Sequence, residues 1–332
     1  MRWWEDLWLN ESFAEWASYW AMAQCTEYTE AWAEFLAVRK EWGYREDQLP
    51  STHPIAAQMP DLDSVRPNFD GISYAKGASV LKQLVAYAGE DAFVAGVRAY
   101  LQKHQYANAT LADLLAELSS ASGHDLAAWT NSWVQTPGVN LLRLELEADS
   151  DGLYTKAVMH QEPPREPAGL EPILRSHRLQ LGFYNIVDGE FTRTDSLWVT
   201  VDGAMTELEA LVGRPQPPLL LVNDDDHTYA KVRLDAHSLR HAIKNYGAIG
   251  DSLARTLVWM SAWDMTRDAE MPALRQGSES CSRWERTAVE NNQVRMISWA
   301  CGRRSMGKVR PNRSGSSPQP VAICGVSEEV AQ

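Results

Sequence analysis

Cysteine is scarce: four in 332 residues, with no pair spaced as Cys-x-x-Cys. That excludes a disulfide-stapled scaffold and a zinc ribbon. It fits a reducing compartment, and the expected location is the cytoplasm. No apolar run approaches the roughly 20 residues that span a bilayer, so no membrane association is expected. Positive charge is also short. The 31 Lys+Arg face 44 Asp+Glu, a formal net charge of -13, which argues against a nucleic-acid partner. No basic segment followed by an apolar core opens the chain, so no signal peptide is read there. Internal repeats are absent.

What is present is tryptophan. Of 14 in the chain, seven (Trp3, Trp4, Trp8, Trp16, Trp20, Trp32, Trp42) fall in the first 42 residues. Large aromatics at this density belong in a thick core or along a cleft. Such a core is expected to need partner elements preceding Met1. Hydrophobic content of 45% and charged content of 23% are those of a soluble globular protein long enough for two or three domains.

Apolar positions recur at helical spacing through Phe13–Met22, Ala31–Trp42, Ala78–Tyr87, Phe93–Leu101 and Leu111–Leu118. Thr110-Leu-Ala-Asp113 reads as a capping box. At Thr136-Pro-Gly138 the period changes to strand-like alternation in Leu142–Glu147, followed by Leu179–Tyr184, Ser196–Val201 and Leu219–Val222. Helical spacing resumes after Asn223-Asp-Asp-Asp226 through Leu239–Tyr246 and Leu253–Met265. From residue 274 onward, nine Lys+Arg outnumber five Asp+Glu, and three of the four cysteines gather there. Disorder and translation in a wrong frame are two readings of that tail.

The most specific stretch is Trp3-Trp-Glu-Asp-Leu-Trp-Leu-Asn-Glu-Ser-Phe-Ala-Glu-Trp16. It resembles the zinc aminopeptidases of the aminopeptidase N type, in the gluzincin group. There Asn-Glu-Ser/Gly-Phe-Ala supplies the third zinc ligand, which falls here on Glu11. Ile72-Ser-Tyr-Ala-Lys-Gly-Ala-Ser-Val-Leu81 is similar to the family's Tyr-x-Lys-Gly-Ala helix, whose tyrosine stabilises the transition state; that position is Tyr74. Trp129-x3-Trp133-Val-Gln-Thr-Pro-Gly138 resembles the family's passage from catalytic domain to β linker domain. Leu174-Arg-Ser-His-Arg178 and Asn223–Leu234 resemble its actinobacterial branch.

The resemblance covers about residues 1 to 271. It implies a multidomain α+β chain: residues 1–136 as the C-terminal, helical part of a thermolysin-like catalytic domain, 137–225 as a small antiparallel β-sandwich linker, 226–271 as the start of a C-terminal helical domain, and 272–332 as an atypical tail. It implies hydrolysis of N-terminal residues from peptides, with zinc as cofactor. The family's His-Glu-x-x-His helix and its Gly-x-Met-Glu-Asn segment do not occur in the sequence; by the family's order they would lie before Met1. The chain by itself is therefore expected to bind zinc weakly and to be inactive. The alternative is a non-catalytic fragment or interaction module. Oligomeric state is not legible.

Bland readings stand beside these roles. A lone Glu11 would be a capping or salt-bridging residue. Tyr74 would be a half-buried tyrosine with a backbone acceptor. Asn10 and Asp6 read as groups that cap the helix or orient the ligand, Lys76 as a surface or ligand-supporting residue, and His53 as a hydrogen-bonding loop residue. His237-Ser-Leu-Arg-His241 places two imidazoles on one helix face, but without a glutamate between them it reads as a solvated face.

Overall fold

A computed structural model describes residues 6–271. The readings of residues 272–332 and of Trp3 and Trp4 lie outside the described residues. The first part of the chain is helical: α1 (Leu7–Cys25), α2 (Ala31–Glu34), α3 (Glu41–Glu46), α4 (Leu62–Val65), α5 (Gly77–Ala88), α6 (Glu90–Lys103), α7 (Leu111–Ser122) and α8 (Ala127–Val134). A π-helical segment, Phe35–Lys40, joins α2 to α3, and a second, Ile72–Lys76, leads into α5. Seven strands follow among the described residues: β1 (Leu141–Ala148), β2 (Tyr154–Glu162), β3 (His177–Val187), β4 (Glu190–Val201), β5 (Met205–Glu207), β6 (Leu219–Asp224) and β7 (Lys231–Arg233). Then come α9 (Ala236–Lys244) and α10 (Ser252–Arg267).

Local chemistry sets several boundaries. The Thr110 hydroxyl accepts from the Asp113 amide and the Asp113 carboxylate from the Thr110 amide, so the capping box forms. Gly123, at φ 74°, ends that helix in the left-handed conformation. Asp188 and Gly189, at φ 52° and 86°, make the two-residue turn between β3 and β4.

The strands form two small sheets, ordered β5-β2-β1-β7 and β4-β3-β6. The pairings among β1 to β6 are antiparallel, and β7, which falls in the stretch read as the start of a helical domain, runs parallel to β1 at one edge. Only β7's position beside β1 makes it a strand, since its Lys-Val-Arg sequence has no apolar alternation. One core lies between the sheets, with Leu142, Leu144 and Met159 meeting Leu181, Phe183 and Val201. A second core gathers the helices. Strand β6 borders both: Leu220 and Val222 face the first, Leu219 and Leu221 the second. A strand covered on both faces has no polar side, which explains its unbroken apolar run.

The expectation that the tryptophan-rich start lacks partners is also corrected. Trp8 and Trp16 are buried in the helical core, and Trp20 and Trp32 pack against it. The aromatic face is thus largely satisfied within the described residues.

Charged groups join helices to strands. Lys40 Nζ lies 2.6 Å from Asp226 Oδ1, with both side chains buried. Arg175 is buried and donates to the carbonyls of Ser132, Thr136, Pro137 and Gly138 and to Asn140 Oδ1. The planar guanidinium fork thus pins the Thr136–Gly138 junction. Among the described residues no helix is long and apolar enough to cross a membrane.

Candidate active-site wall

Glu11 stands in the second turn of α1, half-buried. Tyr74 stands in the middle of the π-helical turn Ile72–Lys76. The two are 63 positions apart in sequence, yet the Tyr74 phenol faces the Glu11 carboxylate closely enough for that carboxylate to shift its acidity. Burial, then the neighbouring Glu11 carboxylate, then the charge of Glu15 push the Tyr74 phenol up to about 12, with Arg39 pulling the other way. The phenol is therefore a proton donor at neutral pH.

The turn that carries Tyr74 is built by its own backbone. Ala75 N donates to Gly71 O at 3.0 Å, and Lys76 N reaches back five residues to the same oxygen at 2.9 Å. That extra residue in the turn is the π-bulge geometry common at functional sites. Asp70 Oδ1 caps the start, accepting from the Ile72 and Ser73 amides at 3.0 Å each. Glu46 bridges from α3, accepting from Gly71 N at 2.6 Å and from Trp42 Nε1 at 2.5 Å. Gly43 and Gly71 allow this approach: a Cβ on Gly43 would stand 3.2 Å from Gly71 O, and one on Gly71 3.0 Å from the Trp42 ring.

Aromatic rings lie against Tyr74. Trp42 is stacked on it at 6.3 Å between centroids, and Phe69 is tilted at 6.5 Å. Arg39 sits 4.8 Å over the Trp42 ring and grips Glu15 through two bonds of 2.5 and 2.7 Å. Glu15 lies four residues after Glu11, hence on the same helix face. That spacing was the available signal for its membership of the wall. Trp42 belongs to the tryptophan-rich start read as core or cleft, whereas nothing in the sequence signalled Arg39 or Glu46.

Asn10 is exposed, with Nδ2 3.4 Å from Glu11 Oε1. Asp6 makes no side-chain cap on α1; its carboxylate instead accepts from the Leu111 amide at 3.3 Å, at the start of α7. Lys76 is not a surface residue. It is wholly buried, 2.9 Å from Asp47 Oδ2, and burial lowers it to about 8 against the raising pull of Asp47. His53 does hydrogen-bond in its loop, to Pro54 O and Asp70. His237 and His241 are half-buried with rings 4.6 Å apart, and Ser238 between them is buried, its hydroxyl oxygen accepting from the Leu220 amide of β6 at 2.9 Å.

As a metal donor set the described residues are partial. Glu11 presents one carboxylate beside the Tyr74 phenol. Among the described residues no group of three or more His, Cys, Asp or Glu is placed to hold an ion. The arrangement fits one arm of a three-ligand catalytic site, and it does not form the site alone.

Residues 1–133 match the profile of the peptidase family M1 domain. Aminopeptidase N of Streptomyces lividans is 51% identical over 276 residues, which cover 82% of this chain and 32% of that protein. Leucyl aminopeptidase of Saccharolobus solfataricus is 38% identical over 146 residues, 44% of this chain and 19% of that protein. Aminopeptidase M1 of Arabidopsis thaliana is 28% identical over 278 residues, 77% of this chain and 30% of that protein. The chain thus spans about a third or less of the length of these relatives. With the two motifs in place and likeness of this extent, the chain belongs to peptidase family M1, among relatives of the aminopeptidase N type.

Proposed function

We propose that this chain carries the helical wall of a zinc-dependent aminopeptidase site, with Glu11 as a metal ligand, Tyr74 as the oxyanion donor and the N-terminal residue of a peptide as the group removed. The observation that carries it is the approach of the Tyr74 phenol to the Glu11 carboxylate where α1 packs on the Ile72–Lys76 turn. Two motif residues far apart in sequence share one place, as a joint chemical role requires. Zinc, when bound, supplies Lewis acidity and lowers the pKa of water.

The chain's own residues do the rest. Glu11 offers its carboxylate from a rigid helix. Tyr74, protonated at neutral pH, donates to the oxygen that gains negative charge when the peptide carbonyl is attacked. A donor of this kind is worth about 3 kcal/mol of barrier. Trp42 and Phe69 present apolar surface beside it. Asn10 and Asp6 act outside the reacting atoms, Asn10 on the Glu11 carboxylate and Asp6 on the start of α7.

The division into catalytic helices (1–136), β linker (137–225) and helical start (226–271) belongs to the same proposal, supported by the change from helices to sheets after α8. So does weak zinc binding by this chain alone, since one carboxylate is a poor chelate. Peptides are the proposed partners.

The test joins a His-Glu-x-x-His segment ahead of this chain and measures hydrolysis of a chromogenic aminoacyl amide. Tyr74→Phe should lower kcat about 100- to 1000-fold with KM little changed, while Glu11→Ala should abolish zinc binding. Near-normal kcat in Tyr74→Phe would refute the role of Tyr74. Zinc-dependent turnover by the 332-residue chain alone would refute its inactivity.

A further inference from the structure

His53 is half-buried in the loop after α3, with both ring nitrogens engaged. Nδ1 lies 2.7 Å from the Pro54 carbonyl oxygen and Nε2 2.8 Å from Asp70 Oδ2. A carbonyl and a carboxylate can only accept. A neutral imidazole carries one N–H, so it can satisfy one of them; the imidazolium carries two and satisfies both. The geometry therefore selects the charged ring.

Asp70 passes this contact on. Its Oδ2 meets His53, while its Oδ1 accepts from the Ile72 and Ser73 amides, and its carbonyl accepts from Tyr74 N at 3.1 Å. One residue thus ties His53 to the turn that holds the phenol. The charged groups facing the ring are Asp70 and Lys76, and Lys76 is itself paired with Asp47.

We propose that His53, as an imidazolium clamped between Pro54 and Asp70, is a proton-dependent positioning residue for Tyr74. This rests on the aminopeptidase reading for its purpose, not for its geometry. Burial opposes the charged ring, but the bonds to Asp70 and Pro54 prevail and His53 is raised above the usual histidine value. The brace is complete below about pH 6.5. It is lost as pH rises through the higher value in the folded chain, when one of the two bonds must break.

Hydrogen exchange across residues 69–76 of the full 332-residue chain, corrected for intrinsic rates, tests this at about pH 6 and about pH 9. In the wild type, opening should increase on the order of tenfold over that range. His53→Gln keeps a donor toward Asp70 but does not titrate; it should retain protection and lose the pH dependence. His53→Leu should exchange fast at both values, with strand β3 as the unchanged reference. Asp70→Asn should make the His53 ring, followed by nitrogen NMR, lose its proton at lower pH. The proposal is overturned if His53→Gln follows the wild-type pH dependence, if a folded His53→Leu stays protected, or if Asp70→Asn leaves the ring titration unmoved. None of these readouts needs turnover. Failure of the Tyr74→Phe test would remove the oxyanion role of Tyr74 and leave the brace standing.

Discussion

The Ser12 hydroxyl donates a 2.6 Å hydrogen bond to the Ser73 carbonyl oxygen. Each residue is the neighbour of a candidate site residue, Glu11 on one side and Tyr74 on the other. The bond, buried between α1 and the π-helical turn, sets the spacing at which the carboxylate and the phenol meet. Gly77 makes room for it, because a Cβ there would stand 1.9 Å from Ser12 Oγ and 2.8 Å from Ser12 Cβ.

Gly77→Ala should therefore force α1 off the turn and destabilise the chain by about 1–3 kcal/mol, the usual cost of overpacking. Ser12→Ala should cost about 1 kcal/mol for the lost buried bond. Denaturant unfolding measures both. Wild-type stability in Gly77→Ala would show that the two elements are not in fixed contact.

The Tyr74 phenol should titrate at about 12 in the metal-free chain. Its value is raised on folding, so the stability it contributes is complete below about pH 10 and lost as pH rises through about 12. Glu11→Gln removes the charged acceptor and should lower the value toward 10, though not fully, since burial is the largest cause. Carbon NMR of ring-labelled tyrosine reads this directly. An unchanged titration in Glu11→Gln would show that the two groups do not interact.

Lys40 and Asp226 are a buried pair that links the helical part to the turn after β6. Lys40→Met leaves a carboxylate without its main counter-charge and should cost about 3–5 kcal/mol. Adding Asp226→Asn should recover most of that. A double variant as unstable as the single one would mean that the helix packing at Lys40, not the charge, carries the effect.

Arg175→Lys keeps the charge and loses the fork that serves Ser132, Thr136, Pro137, Gly138 and Asn140 together. It should destabilise by roughly 2–4 kcal/mol through carbonyls left without donors. Thermal melting is the measurement. A loss under about 0.5 kcal/mol, the range of ordinary surface changes, would contradict the junction role.

By itself the sequence determined the motif residues, the helices from α5 to α7 with the Thr110–Asp113 capping box of α7, and the strands β1, β3, β4 and β6. These depend on neighbours within a few positions, through apolar period, capping side chains and turn residues. The tertiary structure alone decided the rest. It made a strand of Lys231–Arg233, put the π-helical turn under Tyr74, and turned Lys76 from a surface residue into a buried one. It also chose Asp226 as the partner of Lys40, 186 residues away. A local pattern tells which face of a segment avoids water. It does not tell which distant carboxylate, carbonyl or imidazole will be there to satisfy a charge once that face is closed.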